Sequence, residues 1–328
     1  MAMGTATGTG TTTDRRRSPH APRPGPLREP GRPFAYGDRV ARLSRAVPEN
    51  APGDLFVDDA CIACDTCRAL DASTYGGGED DHAFVARQPE GDARARALLA
   101  VIACPVAAIG SRSKAGLREA ADAFPIPFEG PVLRCGYAAE SSFGAASWLL
   151  RRPDGNVLVD SPRFAAPLLA RLRTLGGVRT MFLTHRDDVA DHRRWREALG
   201  CERVLHAADA GPATRDVERL VEGREPVPLA PDLLVIPVPG HTRGSAALLW
   251  RDHVLFTGDH LWGDAAGRLD ASRAVCWYDW DEQTRSMERL LAHRFMRVLP
   301  GHGRPWGAPS PTAARAALAD LVAAMRRG

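Results

Sequence analysis

The most informative stretch of this 328-residue chain is Pro239-Gly240-His241-Thr242-Arg243-Gly244-Ser245. It directly follows residues 233–238, an apolar run whose length predicts a buried strand. Glycines beside the histidine let the backbone turn sharply, so the imidazole can point away from the sheet. The pattern therefore predicts a histidine held in a loop at a sheet edge.

Three other histidines have the same setting. His185 ends the strand predicted at 178–184, His260 follows Gly258-Asp259, and His302 follows the strand predicted at 296–299. Imidazole suits Zn²⁺ or Fe²⁺, and a carboxylate can bridge two ions. Repetition of the pattern on successive strands predicts one shared metal centre.

Four motifs together resemble the metallo-β-lactamase superfamily, most closely its glyoxalase II-like members. They are LTH at 183–185, PGHTRGS at 239–245, FTGDH at 256–260 and LPGHG at 299–303, in the family's order. The resemblance implies an α+β fold, an αββα sandwich with metal at one edge. It further implies that His185 and His241 ligate a first metal, that His302 ligates a second, and that Asp259 bridges them.

The first motif departs from the family's H-x-H-x-D-H pattern. Asp187 stands where the second histidine is expected, and we predict it to be an oxygen ligand and, with Asp259, a catalytic residue. Asp191 and His192 come two residues late. Either a longer loop brings them to the metal, or they face solvent on a helix predicted from about Asp188 to Gly200. We therefore expect one or two Zn or Fe ions.

The cysteines form a second pattern: Cys61, Cys64 and Cys67, followed by Cys104-Pro105. Three thiolates from one loop and a remote fourth resemble a single-cluster [4Fe–4S] ferredoxin. The alternative is a structural zinc site, but a zinc ribbon usually has two separate C-x2-C pairs. Strands predicted at 54–58 and 82–88 and a helix at 92–103 surround the cysteines.

These patterns divide the chain into five segments. We predict a tail at 1–33, a linker or short helix at 34–53, a ferredoxin-like domain at 54–112, a linker at 113–129 and the sandwich at 130–328. The net charge is +3 overall, −6 over 54–110 and +4 over 111–328. The opposite charges predict that the two domains dock against each other.

Composition argues against several classes of function. No basic cluster lies on a predicted folded segment, so no nucleic-acid partner is expected. No apolar run reaches 18 residues, and residues 1–33 lack the apolar stretch of a signal peptide. The sequence therefore favours a cytoplasmic protein without a membrane partner.

The leading hypothesis is a metal-dependent hydrolase of a small thioester or ester. The first alternative is an iron-dependent oxidoreductase fed by the cluster, with a redox partner protein; the second is a non-enzymatic redox sensor. Residues 276–280 (CWYDW) form either a packed satellite core or a substrate wall. The other histidines, His206, His253, His260 and His293, are interpreted as hydrogen-bonding or surface residues.

Overall fold

The computed structural model describes residues 40–327. The predicted tail at 1–33 and residues 34–39 of the first linker lie outside the described residues. Within 40–327, no helix has the length and apolar character needed to cross a membrane.

A small unit precedes the sandwich. Its elements are β1 (Leu55–Val57), α1 (Thr66–Asp71), β2 (Tyr75–Gly77), β3 (Ala83–Val85), α2 (Asp92–Ala103) and β4 (Ile109–Ser111). Strands β1 and β4 pair antiparallel, with Leu55 opposite Ser111, and β2 and β3 form a hairpin. Helix α2 buries Ala97 and Leu98 in the core of this unit.

The first large sheet has seven strands in the order β11-β10-β9-β8-β7-β6-β5. They are β5 (Ile126–Glu129), β6 (Val132–Arg134), β7 (Trp148–Leu150), β8 (Val157–Val159), β9 (Thr180–Phe182), β10 (Glu202–His206) and β11 (Arg219–Val221). Strands β8 to β11 run parallel, whereas β5 to β8 form antiparallel pairs. Helices α3 (Leu117–Ala123), α4 (Ala166–Thr174) and α5 (His192–Leu199) precede or connect these strands.

The second large sheet has six strands in the order β12-β13-β14-β15-β18-β19. These are β12 (Val227–Ala230), β13 (Leu233–Pro237), β14 (Ala246–Trp250), β15 (Val254–Gly258), β18 (Arg297–Pro300) and β19 (Trp306–Gly307). A small hairpin joins β16 (Trp262–Gly263) and β17 (Leu269–Asp270), and the helices are α6 (Trp280–Leu290) and α7 (Pro311–Met325).

Three apolar layers hold the sandwich together. Trp148, Phe182 and Phe256 lie in the layer between the two sheets. Leu168 of α4 and Trp195 of α5 cover the outer face of the first sheet, and residues of α6 and α7 cover the second. The architecture is therefore αββα, as the resemblance implies.

Two segments differ from the expected secondary structure. The segment 113–129, predicted as a linker, contains α3 and β5. Helix α5 begins at His192 and not at Asp188, because the Asp188 carbonyl accepts a hydrogen bond from the Ser161 backbone N–H. Residues 185–191 consequently form a loop at the sheet edge.

Candidate metal centre and cluster pocket

Four strands deliver the candidate ligands to one edge of the sandwich. His185 follows β9, His241 follows β13, Asp259 follows β15 and His302 follows β18. Strands β15 and β18 are parallel neighbours, so the residues after them leave the sheet side by side.

Asp259 lies at the middle of this group. Its Oδ2 is 3.7 Å from the Nε2 atoms of His185, His241 and His302 alike. Two sets of ligand atoms fall within 4.8 Å of one another: His185 with Asp187 and His241, and His185 with Asp188 and Asp259. The arrangement offers imidazole and carboxylate donors to one ion or to two adjacent ions.

Four buried atoms of this group have no hydrogen-bond partner among residues 40–327. They are Nε2 of His185, Nε2 of His241, Oδ2 of Asp188 and Oδ1 of Asp259. Buried polar atoms of folded proteins are nearly always paired. Since all four atoms can donate a lone pair to a cation, the residues present fit a divalent metal centre.

Two of the three imidazoles are oriented by a contact at Nδ1, on the side of the ring away from Asp259. The Thr184 hydroxyl donates to Asp160 at 2.9 Å and lies 3.0 Å from Nδ1 of His185. Nδ1 of His241 lies 2.6 Å from the Val275 carbonyl oxygen. Each Nδ1 therefore carries the proton, which leaves Nε2 free as a ligand.

Burial and charge set the protonation of the group. Burial lowers the pKa of His185 to about 4, so this imidazole is neutral and able to bind metal at pH 7. Burial opposes ionisation of Asp259, but the adjacent His302, His185 and His241 bring the pKa of this carboxyl below its usual value. Burial, followed by the charge of Asp259, raises the pKa of Asp188 well above the ordinary value.

The two adjacent aspartates differ in exposure. The Asp187 side chain is 47% exposed and lies 3.9 Å from Nε2 of His241, whereas Asp188 is 2% exposed. Sequence reasoning missed Asp188, because spacing alone matched only Asp187 to the family motif. The available signal was a pair of consecutive acids, Asp187 and Asp188, that begins two residues after the strand-ending His185.

The structure does not bring Asp191 and His192 into this group. The Asp191 carboxylate accepts a hydrogen bond from the Phe164 backbone N–H at 2.7 Å. Nε2 of His192 lies 3.1 Å from the Ala213 carbonyl oxygen, and Nδ1 lies 3.0 Å from a guanidinium nitrogen of Arg203. Both residues are thus engaged in packing α5.

His260 differs from its expected surface or hydrogen-bonding role. It is fully buried, and neither ring nitrogen has a hydrogen-bond partner among residues 40–327. Burial lowers its pKa to about 3, so the ring is neutral.

The second site is a pocket lined by Cys61, Cys64, Cys67 and Cys104. Backbone N–H groups of Ala83 and Ala108 approach the sulfurs of Cys61 and Cys104 at 3.4 and 3.3 Å. Burial raises the pKa of Cys64 to about 12 and that of Cys67 well above its usual value. The thiols thus need a cation to ionise, and a pocket that all four cysteines line fits an iron–sulfur cluster.

Comparisons with known proteins find one family model and several curated relatives. Residues 57–111 match the family model described as the 4Fe-4S single cluster domain of Ferredoxin I. The chain is 33% identical over 150 residues to a hydroxyacylglutathione hydrolase of Xanthomonas oryzae pv. oryzae, covering 44% of this chain and 54% of the relative. It is 30% identical over 180 residues to the hydroxyacylglutathione hydrolase of Methylococcus capsulatus, covering 53% and 66%.

The chain is similar to hydroxyacylglutathione hydrolases over about half of its length, and residues 57–111 are similar to a ferredoxin domain. It spans between half and two thirds of the length of these curated relatives. A metallo-β-lactamase from Hirschia baltica superposes with a TM-score of 0.48 at 18% identity, covering 61% of this chain and 96% of that structure.

Two exposed aromatic side chains flank the candidate metal centre. The Phe143 ring centroid is 6.0 Å from that of His302, and the Trp277 ring centroid is 6.3 Å from that of His241. Phe143 is 42% exposed and Trp277 is 56% exposed. Both rings therefore offer apolar surface at the mouth of the site.

Proposed function

We propose that the protein is a metal-dependent hydrolase of a small thioester or ester, with a [4Fe–4S] cluster in its ferredoxin-like domain. The single observation that carries the proposal is the set of unpartnered ligand atoms around Asp259. The names of the relatives support hydrolysis. None of the seven cysteines, all of which lie within residues 40–327, forms a disulfide, which supports a reducing compartment such as the cytoplasm.

The buried and the exposed residues of the site have different proposed roles. His185, His241, Asp188, Asp259 and His302 would hold one or two Zn or Fe ions. When bound, such a metal supplies Lewis acidity that activates water and polarises a carbonyl. The half-exposed Asp187 is the one carboxylate of the group open to solvent, so we assign it the transfer of a proton to the leaving group.

We infer that Phe143 and Trp277, which lie at the mouth of the metal centre, determine the class of substrate. Phe143 and Trp277 contact different imidazoles of the centre, so an acyl group entering between them meets apolar surface on both sides. A thioester with an apolar acyl chain fits this mouth better than a charged one. Trp277→Ala should therefore raise KM more for a benzoyl than for an acetyl thioester, and an equal change for both would contradict the inference.

The decisive experiment is thioester hydrolysis by the wild type and by Asp259→Asn. The metal supplies several kcal/mol of transition-state stabilisation, so we expect a loss of about a thousandfold in kcat/KM. Asp264→Asn is the matched control, because Asp264 pairs with Arg268 outside the centre. Undiminished hydrolysis by Asp259→Asn would contradict the proposal.

A redox role is the second candidate, favoured by the cysteine pocket. An iron-dependent oxidoreductase would use the same imidazoles and carboxylates and an external redox partner. Zinc alone outside the cluster would favour hydrolysis. Iron outside the cluster that responds to dithionite would favour the oxidoreductase, whereas a cluster without a second metal would leave a redox sensor.

A further inference from the structure

His302 differs from the other two imidazoles in how it is held. Its side chain is 26% exposed, and among residues 40–327 its Nδ1 has no hydrogen-bond partner. Metal-ligating histidines usually donate this N–H to a neighbour that fixes the ring. The position of His302 therefore depends on the packing of its loop, residues 299–304, and on the Phe143 ring.

The 299–304 loop and the segment beside Phe143 both contact the cysteine loop, residues 61–67. The Thr66 hydroxyl donates to the Gly144 carbonyl at 2.9 Å and contacts the sulfur of Cys64 at 3.3 Å. Gly144 adopts φ +86°, and a Cβ there would lie 2.8 Å from the Cys64 sulfur. Glycine is thus required where the cysteine loop meets the residue after Phe143.

A second tie is an ion pair. Asp65, between Cys64 and Thr66, lies 3.0 Å from the guanidinium of Arg304, two residues after His302. Both side chains are about one quarter exposed, at 28% and 26%. The pair joins the acidic ferredoxin-like region to the basic sandwich and fixes one end of the 299–304 loop.

The other end of the loop is held by the sandwich itself. The Ala146 N–H donates to the Gly301 carbonyl at 2.8 Å, and the Trp148 indole donates to the Pro300 carbonyl at 3.0 Å. Residues 143–148 thus contact the cysteine loop at one end and the His302 loop at the other.

We propose that the cysteine loop is a positioning element of the metal centre, and that Asp65 and Arg304 are positioning residues for His302. A bound cluster fixes the loop, which fixes His302 through Arg304 and Phe143. Cluster loading would then set the affinity of the ion on the His302 side. This inference rests on the proposed metal centre but not on the substrate.

The test is a Co²⁺ titration of the full chain, cluster-loaded and freed of other metal, followed by cobalt absorption. Arg304→Gln and Asp65→Asn should each weaken binding of the last cobalt about tenfold, because the loop that carries His302 loses a restraint. Asp65 also pairs with Arg68, so Asp65→Asn removes two ion pairs and Arg304→Gln removes one. The double variant should bind the last cobalt no more weakly than Asp65→Asn, because each single variant already removes the pair of Asp65 and Arg304. Arg326→Gln, which breaks the exposed pair with Glu288, is the matched control.

A cluster-free sample of the wild type extends the test. This sample should bind the last cobalt at least as weakly as Arg304→Gln does. It should still bind the first cobalt, because His185 and His241 do not depend on the cysteine loop. The cluster absorption of each variant checks that the cluster is still bound. Equal cobalt affinity in wild type, Arg304→Gln and Asp65→Asn would overturn the inference alone, whereas no cobalt binding by any sample would overturn the metal centre with it.

Discussion

The cluster pocket and the metal centre differ in how far apart in the chain their ligands lie. Three of the four cysteine ligands fall within residues 61–67, on one loop. The candidate metal ligands come from four loops, which follow β9, β13, β15 and β18. A site built on one loop is specified by local spacing, whereas a site assembled from four depends on the folding of two sheets.

The largest expected effect is loss of the cluster. Cys104→Ala should abolish the cluster absorption, since Cys104 would supply the one remote ligand of the proposed cluster. Cys135→Ala is the control, because Cys135 is also buried but belongs to the sandwich core. A cluster retained in Cys104→Ala would remove the distinction between the local and the remote ligands.

The next effect distinguishes Asp188, which lies in the candidate metal centre, from Asp191, which lies outside it. Asp188→Asn should weaken metal binding at least tenfold, because it removes a buried carboxylate directed at His185 and Asp259. Asp191→Asn should leave metal affinity unchanged, since an amide oxygen can still accept from the Phe164 N–H. Equilibrium dialysis with Zn²⁺ measures both variants. The reverse ranking would place Asp191 at the centre and Asp188 outside it.

A smaller effect is expected from Thr184, whose hydroxyl contacts the imidazole of the candidate ligand His185. Thr184→Val should reduce metal affinity about tenfold, because His185 loses the hydroxyl that fixes its ring. Thr174→Val removes a hydroxyl that bonds only the Arg171 carbonyl at a helix end, and it should change nothing. Equal affinities in the two variants would show that packing alone orients His185.

The smallest effect is on stability beside α5. Glu218 accepts three hydrogen bonds from Arg203, the residue that contacts His192. Burial opposes its ionisation, but Arg203 lowers the pKa of Glu218 to about 2. The stabilisation that ionised Glu218 gives to the folded state is therefore present above pH 4.5 and is lost as the pH falls towards 2.

Glu218→Gln should consequently lower the free energy of unfolding by about 2 kcal/mol at pH 7. The difference from the wild type should shrink as the pH falls through that window. Chemical denaturation at several pH values measures it. Bound metal should be unchanged at pH 7, and its loss would connect α5 to the metal centre.

Sequence alone predicted most of the cluster pocket and part of the metal centre. The cysteine spacing and helix 92–103 are local features, and α2 matches that range. His185, His241, Asp259 and His302 meet because β-strands carry them to one edge. Asp188 was missed because its direction depends on where α5 begins, which a long-range bond from Ser161 to its carbonyl decides.

The contacts that support the candidate ligands could not be predicted from local sequence patterns either. Asp160 follows β8 with φ +56°, and it contacts Thr184 from a neighbouring strand. Likewise, the ion pair of Asp65 and Arg304 joins residues 239 positions apart. Opposite regional charges predicted docking of the two domains, but not which residues meet.

The central claim is that one chain holds two separate inorganic centres. Its most direct test is anaerobic purification followed by counting of iron, zinc and acid-labile sulfide in the wild type, in Cys104→Ala and in Asp259→Asn. We predict about four iron and four sulfide per wild-type chain, plus one or two further metal ions. Cys104→Ala should lose the sulfide and its iron, and Asp259→Asn only the further ions. Simultaneous loss of every metal in both variants, or no metal beyond the cluster in the wild type, would contradict the account.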